Sequence, residues 1–298
     1  MKKPIIVSMI LAVTLLVGNF FVLVYAQDPA KEDKPTFYRL IPGVYVNGWP
    51  RFTVRYPMEW VERRAAIGGF FQAAPSGSRL MGVGIYLISN PLPLDKYVDF
   101  MMPYFKRYAT DVTLVSDKPS QLRDGTPARE LEFKMVVGAE PRNWLGVATH
   151  MGGILISANV TTHKGTIGED LRAISYSLQY EPGKDEPVKL PPDIEEFLDK
   201  YSNDLLSHDV AKVMTHFSDK YLNSGIRKGE IERGWRQTIG LITSIKGTIN
   251  DFVPAGDRAY LTGFTISNCF GKWPITETSI INESGEWKWY GNQRDPAP

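Results

Sequence analysis

Proton-transfer catalysis needs a carboxylate base and a proton donor facing each other across an apolar cavity. The second half of this 298-residue chain holds the residue types for it. Glu277 alternates with Ile275 and Ser279, and Asp251 has the strand parity of Ile249 and Val253. Tyr201 and His216 are the available donors. The pattern fixes neither strand face. Glu277 points into a cavity if Ile275 does, and away from it if Thr276, Thr278 and Ile280 point in. The proposition fails if Glu277 and Asp251 face solvent. Tyr201, Phe217, Trp235, Trp287 and Trp289 either line a ligand cavity or fill a core, and core is the expectation for most of them. Trp287 and Trp289 share one strand face, an arrangement that stacks a sugar or packs a dimer interface.

Other chemistries lack their residues. The chain has no Gly-x-Ser-x-Gly, Walker loop, His-Glu-x-x-His or Gly-x-Gly-x-x-Gly. Gly82-Val83-Gly84 lacks the third glycine and reads as a strand with close backbone packing. His150 and His163 lie toward opposite ends of a predicted hairpin, more than about 20 Å apart at roughly 3.3 Å per residue. His208 and His216 sit on different helical segments without a cysteine or second histidine beside them. All four read as surface or capping histidines, and neither a metal nor a cofactor is expected. The single cysteine, Cys269, excludes an internal disulfide and reads as an inert thiol. Lys+Arg 34 against Asp+Glu 33 gives +1, so no charge excess points to nucleic acid. With 43% hydrophobic and 22% charged residues the composition is globular.

The elements that must position these groups begin after an export signal. Met1-Lys2-Lys3 precedes an almost wholly apolar run over 5–25 that ends Val24-Tyr25-Ala26, so residues 1–26 read as a signal peptide. The run also nearly reaches the roughly 20 residues of a membrane anchor. Either way the chain is expected to be exported, periplasmic or extracellular. Residues 27–36 read as a linker, and the Pro-rich 182–192 as a second one. That leaves domains at 37–181 and 193–298, both α+β.

In the first domain, strands are expected at 52–56, 69–74, 80–89, 112–115, 128–137, 144–149 and 154–160. Met151-Gly152-Gly153 marks a hairpin turn. Leu94, Tyr97, Val98, Met101, Phe105 and Tyr108 form a helix face, with Pro103 predicting a kink or late start. Thr166 and Glu169 fit a capping box. "FTVRYPMEW" (52–60) and "DGTPARELEF" (124–133) resemble the PsbP-like fold, an antiparallel sheet sandwiched by helices. The resemblance implies an interaction module and offers no manganese or calcium ligand set.

In the second domain, Ile194, Phe197, Leu198, Tyr201 and Leu205 make one helix face. Asp209 caps a second helix, with Val210, Val213, Met214 and Phe217 inward. Ile231, Trp235, Ile239 and Ile242 make a third. Strands follow at 244–253, 258–267, 273–282 and 286–290. Residues 194–222 and "INESGEWKWYG" (281–291) resemble the nuclear transport factor 2-like superfamily, in which three helices wrap a curved sheet into a cone. That superfamily hosts isomerases, dehydratases, binding modules and dimerisation modules, so the resemblance implies a fold and leaves function open. The first reading is a non-enzymatic exported binding or assembly module. The alternative is a small-molecule binder or isomerase/dehydratase-like enzyme using the cone. The partners implied are an envelope protein or a small apolar ligand, with a homodimer through the sheet by resemblance. No nucleic acid is expected, and membrane contact only through an uncleaved N-terminal segment.

Overall fold

The computed structural model describes residues 43–63, 69–78, 82–89, 92–163, 165–182, 186–223, 225–269 and 271–292. The export segment and the 27–36 linker lie outside them. The fold is α+β, with three largely antiparallel sheets.

The alternation of Phe52 and Val54 with Thr53 and Arg55 gives β2 (Phe52–Arg55), whose apolar pair is fully buried. It pairs with β1 (Val44–Asn47) and, on its other side, with a two-residue β10 (Gln179–Tyr180). The seven-stranded sheet runs β3 (Trp60–Arg63), β4 (Gly69–Pro75), β5 (Gly82–Ser89), β9 (Ile154–Thr162), β8 (Glu140–Met151), β7 (Pro127–Val137), β6 (Thr110–Gln121). Its logic is visible in β7. Leu131, Phe133 and Met135 turn to one face, where Tyr97, Met101 and Phe105 of α1 (Tyr97–Lys106) cover them. Ala128, Glu130 and Glu132 turn to the other, where α2 (Glu169–Ser175) lays down Leu171 and Ile174. Between β8 and β9, Gly152 (φ 57) and Gly153 (φ 80) are both left-handed, as a two-residue hairpin turn requires.

Two local expectations are corrected. Of the kink or late start predicted from Pro103, the late start is ruled out: α1 runs through Pro103 to Lys106, led in by a 3₁₀ turn at Leu94–Lys96. The Thr166–Glu169 capping box does not form: Gly168 is the N-cap of α2, without a side-chain bond.

The second part carries α3 (Pro192–Leu206), α4 (Val210–Thr215) and α5 (Lys228–Thr238). They cover a sheet ordered β12 (Ile226–Arg227), β11 (Phe217–Asn223), β16 (Glu286–Gly291), β15 (Gly271–Glu283), β14 (Arg258–Ser267), β13 (Ile245–Ala255). Asp209 caps α4 as expected, its carboxylate accepting from Ala211 N at 3.0 Å and Lys212 N at 3.2 Å. Asp209→Ala should cost about 1 kcal/mol, read as a lower urea midpoint; an unchanged midpoint would mean that the cap adds nothing here. Phe217 does not face inward from the second helix. That helix ends at Thr215, and Phe217 opens β11 in parallel register with Trp289. α5 also stops short of the predicted face, and Ile239 begins a separate 3₁₀ turn.

The two large sheets meet. Trp49 packs on Phe264 with ring centroids 4.4 Å apart. The Lys272 amine lies over both rings, 4.7 and 4.1 Å from their centroids, and donates to Gly152 O at 2.7 Å. The Pro-rich stretch is pinned as well: Val188 N donates to Ile249 O at 3.0 Å, and Leu190 is buried in the second core.

Candidate functional site

The candidate residues converge only in part. α3 presents Phe197 and Tyr201 to the sheet, the α4–β11 corner presents His216 and Phe217, and β16 presents Trp289. The Tyr201 ring centroid stands 5.6 Å from His216, 6.0 Å from Phe217 and 5.5 Å from Trp289. Phe197 reaches His216 at 5.9 Å and Trp289 at 5.4 Å. All five contacts are edge-to-face, the arrangement that aromatic quadrupoles favour. Trp235 packs half-buried at the margin of the same core. Trp287 shares the face of Trp289, yet its indole N–H is spent on Asp193 Oδ2 at 2.7 Å, tying β16 to the start of α3.

His216 is the C-cap of α4, as the capping reading expects, but it is buried and not on the surface, 5% exposed. Its Nε2 lies 2.6 Å from Asp204 Oδ2, and its carbonyl accepts from Trp289 N at 2.7 Å. Asp204 was missed by the sequence reading. The available signal was its place three residues after Tyr201, on the same helix face. Asp204 also borders a shallow hollow along the outer side of α3, with Glu195, Asp199 and Asn203. Burial, with Tyr221 beside it, pushes the Tyr201 hydroxyl far above the usual tyrosine range. The Tyr201 hydroxyl therefore stays protonated at neutral pH.

The carboxylates do not complete the arrangement. A bulge at Asn250 breaks the parity on which Asp251 depended: Ile249 and Asn250 are both buried, and Phe252 takes the core face opposite Leu261. Asp251 is left half-buried on the other face, opposite Thr262. A second shift places Thr276 and Glu277 between the pairs Gly263↔Ile275 and Leu261↔Thr278. Ile275 and Ile280, five residues apart, consequently both pack on the core. The Glu277 side chain lies outside the described residues. Among those residues, no three of His, Cys, Asp and Glu are grouped to hold a metal ion. His150 and His208 each meet a carbonyl, of Leu92 at 2.8 Å and of Ile242 at 2.7 Å.

Two further features escaped the sequence reading. The buried indole nitrogens of Trp235 and Trp289 have no acceptor among the described residues. On the α2 face of the first sheet, Glu130 is 1% exposed and anchors a polar network. Tyr176 OH donates to its Oε2 at 2.5 Å, while Arg172 and Lys118 stand 2.6 and 3.2 Å from its Oε1. Arg172 also reaches Glu132 at 2.9 Å, and the Ser120 hydroxyl meets Tyr176 at 2.6 Å. Burial alone would raise the Glu130 carboxyl, but the bonds from Tyr176, Arg172 and Lys118 outweigh it and hold it below the usual range. Burial and the bond to Glu130 push Tyr176 up to about 12. The signal for this network was weak, since Glu130 and Arg172 are 42 residues apart.

No protein-family model and no curated protein matches the chain. Three solved structures are among those similar to the chain. Cyanobacterial PsbP from Synechocystis sp. PCC 6803 is 17% identical, covering 52% of this chain and 100% of its own, with a TM-score of 0.40. A protein from Bacteroides thetaiotaomicron VPI-5482 is 14% identical over 84% of this chain and 89% of its own, with a TM-score of 0.33. PA94, a protein of unknown function from Pseudomonas aeruginosa, is 13% identical over 46% of this chain and 86% of its own, with a TM-score of 0.27. One of them is thus a PsbP protein, the family that residues 52–60 and 124–133 resemble. At these identities and scores the likenesses assign no function, and any functional reading rests on the residues of this chain.

Proposed function

We propose that this chain is a non-enzymatic exported envelope protein acting as a binding or assembly module, with a PsbP-like and a nuclear transport factor 2-like domain divided near 182–192. One observation carries the reading. The rings of His216, Phe217 and Trp289 each pack edge-to-face against Tyr201, so the side chains a catalytic cavity would need are used as core. Asp251 does not join them. The export signal in residues 1–26 supports an envelope location, and both resembled folds serve as scaffolds for contact.

A second reading, small-molecule binding with isomerase- or dehydratase-like chemistry in the cone, is favoured by the two buried indole N–H groups without acceptors. An unsatisfied buried donor costs about 1–3 kcal/mol, which a ligand oxygen would recover. Native mass spectrometry of the chain, taken gently from its own envelope fraction, separates the readings. A bare chain, or one carrying another protein, is the expected result. A stoichiometric small-molecule mass would overturn the first reading in favour of the second.

A further inference from the structure

Two parts joined by a Pro-rich linker move relative to one another unless they share a well-packed interface. In this chain the interface turns on one residue. The β1–β2 turn, 47–50, is braced from within: the buried Asn47 side chain accepts from the Tyr45 hydroxyl at 3.0 Å and donates to Pro50 O at 2.9 Å. The braced turn holds Gly48 directly against β14. A Cβ on Gly48 would overlap the Thr262 hydroxyl oxygen and stand 3.0 Å from Thr262 Cβ and 3.3 Å from its Cγ2, and these are the three atoms nearest to it. Gly48 is not one of the left-handed glycines, so glycine is needed here for space and not for its φ. Thr262 is buried and β-branched, with little freedom to turn aside.

The residues around Gly48 extend the contact. Trp49 is buried, and Phe264, which belongs to the second sheet, packs against the core of the first. On the other side of Trp49, a Cβ on Gly152 would stand 2.9 Å from the indole Cζ2, so the β8–β9 turn lies against the same ring. Gly152 donates its N–H to the Tyr180 hydroxyl at 2.9 Å, and its carbonyl takes the Lys272 amine. A glycine-tight approach, a ring stack and an amine over two rings thus meet in one seam. Each of them exists only while both parts are in place.

We propose that this seam, keyed by Gly48, locks the two parts in one orientation and makes them unfold as a single cooperative unit. The inference goes beyond the binding-module reading and holds whichever reading of the function is right. It opposes the arrangement of two independent domains on a tether that the Pro-rich stretch suggests.

Hydrogen exchange of the full chain, read by mass spectrometry along a urea series, tests it. Peptides from β8–β9 and from β14 should lose protection at one shared urea midpoint. Gly48→Ala should part the two midpoints by on the order of 0.5 M or more. Adding Thr262→Ala, which removes the hydroxyl and the methyl that the new Cβ would meet, should bring them together again. That rescue separates an effect on the seam from damage to the β1–β2 turn itself. Separate midpoints in the unaltered chain overturn the proposal. So do midpoints that stay together in Gly48→Ala, or a separation that Thr262→Ala does not close.

Discussion

Glu130→Ala is expected to lower the unfolding free energy by about 3–5 kcal/mol, the range for breaking a buried, hydrogen-bonded charge pair from one side. The residue is 1% exposed and is the acceptor at the centre of its network. Removing it leaves Tyr176 OH without its acceptor and Arg172 with Glu132 alone. The same variant changes the pH profile. The folded carboxyl titrates below its unfolded value, so its contribution is complete above the ordinary glutamate value of about 4.3 and is lost as pH falls through the folded value. Tyr176 is shifted the other way. Its contribution is complete below the ordinary tyrosine value of about 10 and is lost as pH rises through about 12. Urea midpoints across pH should therefore show a plateau between these limits, and Glu130→Ala should flatten the acid limb. A loss under about 1 kcal/mol with an unchanged acid limb would mean that the network is ornamental to stability.

Trp289→Ala should cost a similar amount, about 3–5 kcal/mol, because it leaves a cavity where Phe197 and Tyr201 now meet an indole edge. Trp289→Phe separates packing from hydrogen bonding. It keeps a ring against both neighbours and deletes an N–H that has no acceptor among the described residues. The expected loss is under about 1.5 kcal/mol, since little but volume changes. A Phe variant as damaged as the Ala variant would show that the N–H is satisfied by something outside the described residues, and a ligand retained by the wild-type chain and lost from the variant would favour the ligand reading. Urea unfolding followed by near-ultraviolet circular dichroism reports both.

What the sequence disclosed follows from range. The Gly152-Gly153 turn, the Asp209 cap and the alternation of β2 are local, and each reads directly from neighbouring residues. Phe217 was misplaced because its end of the strand is held by parallel pairing with β16, some 70 residues on. Asp251 was misplaced because a bulge leaves no trace in a period-two pattern. His216 carried no sign of its burial, which depends on Asp204 and on the Trp289 backbone. The Pro-rich segment looked like a tether from its composition, but composition does not reveal that Val188 and Leu190 find partners on β13 and in the second core.

The amine of Lys272, lying over Trp49 and Phe264, has a practical consequence for dissecting the molecule. A boundary drawn through 182–192 looks like the natural place to cut the gene. Expressing either piece alone would strip Trp49 of its stacking neighbour on one fragment and bare Phe264 and Lys272 on the other. Each fragment would then carry an adhesive scar at the former junction. Pull-down partners recovered with such fragments would report that scar as readily as the protein's own biology, and the intact chain is the proper bait.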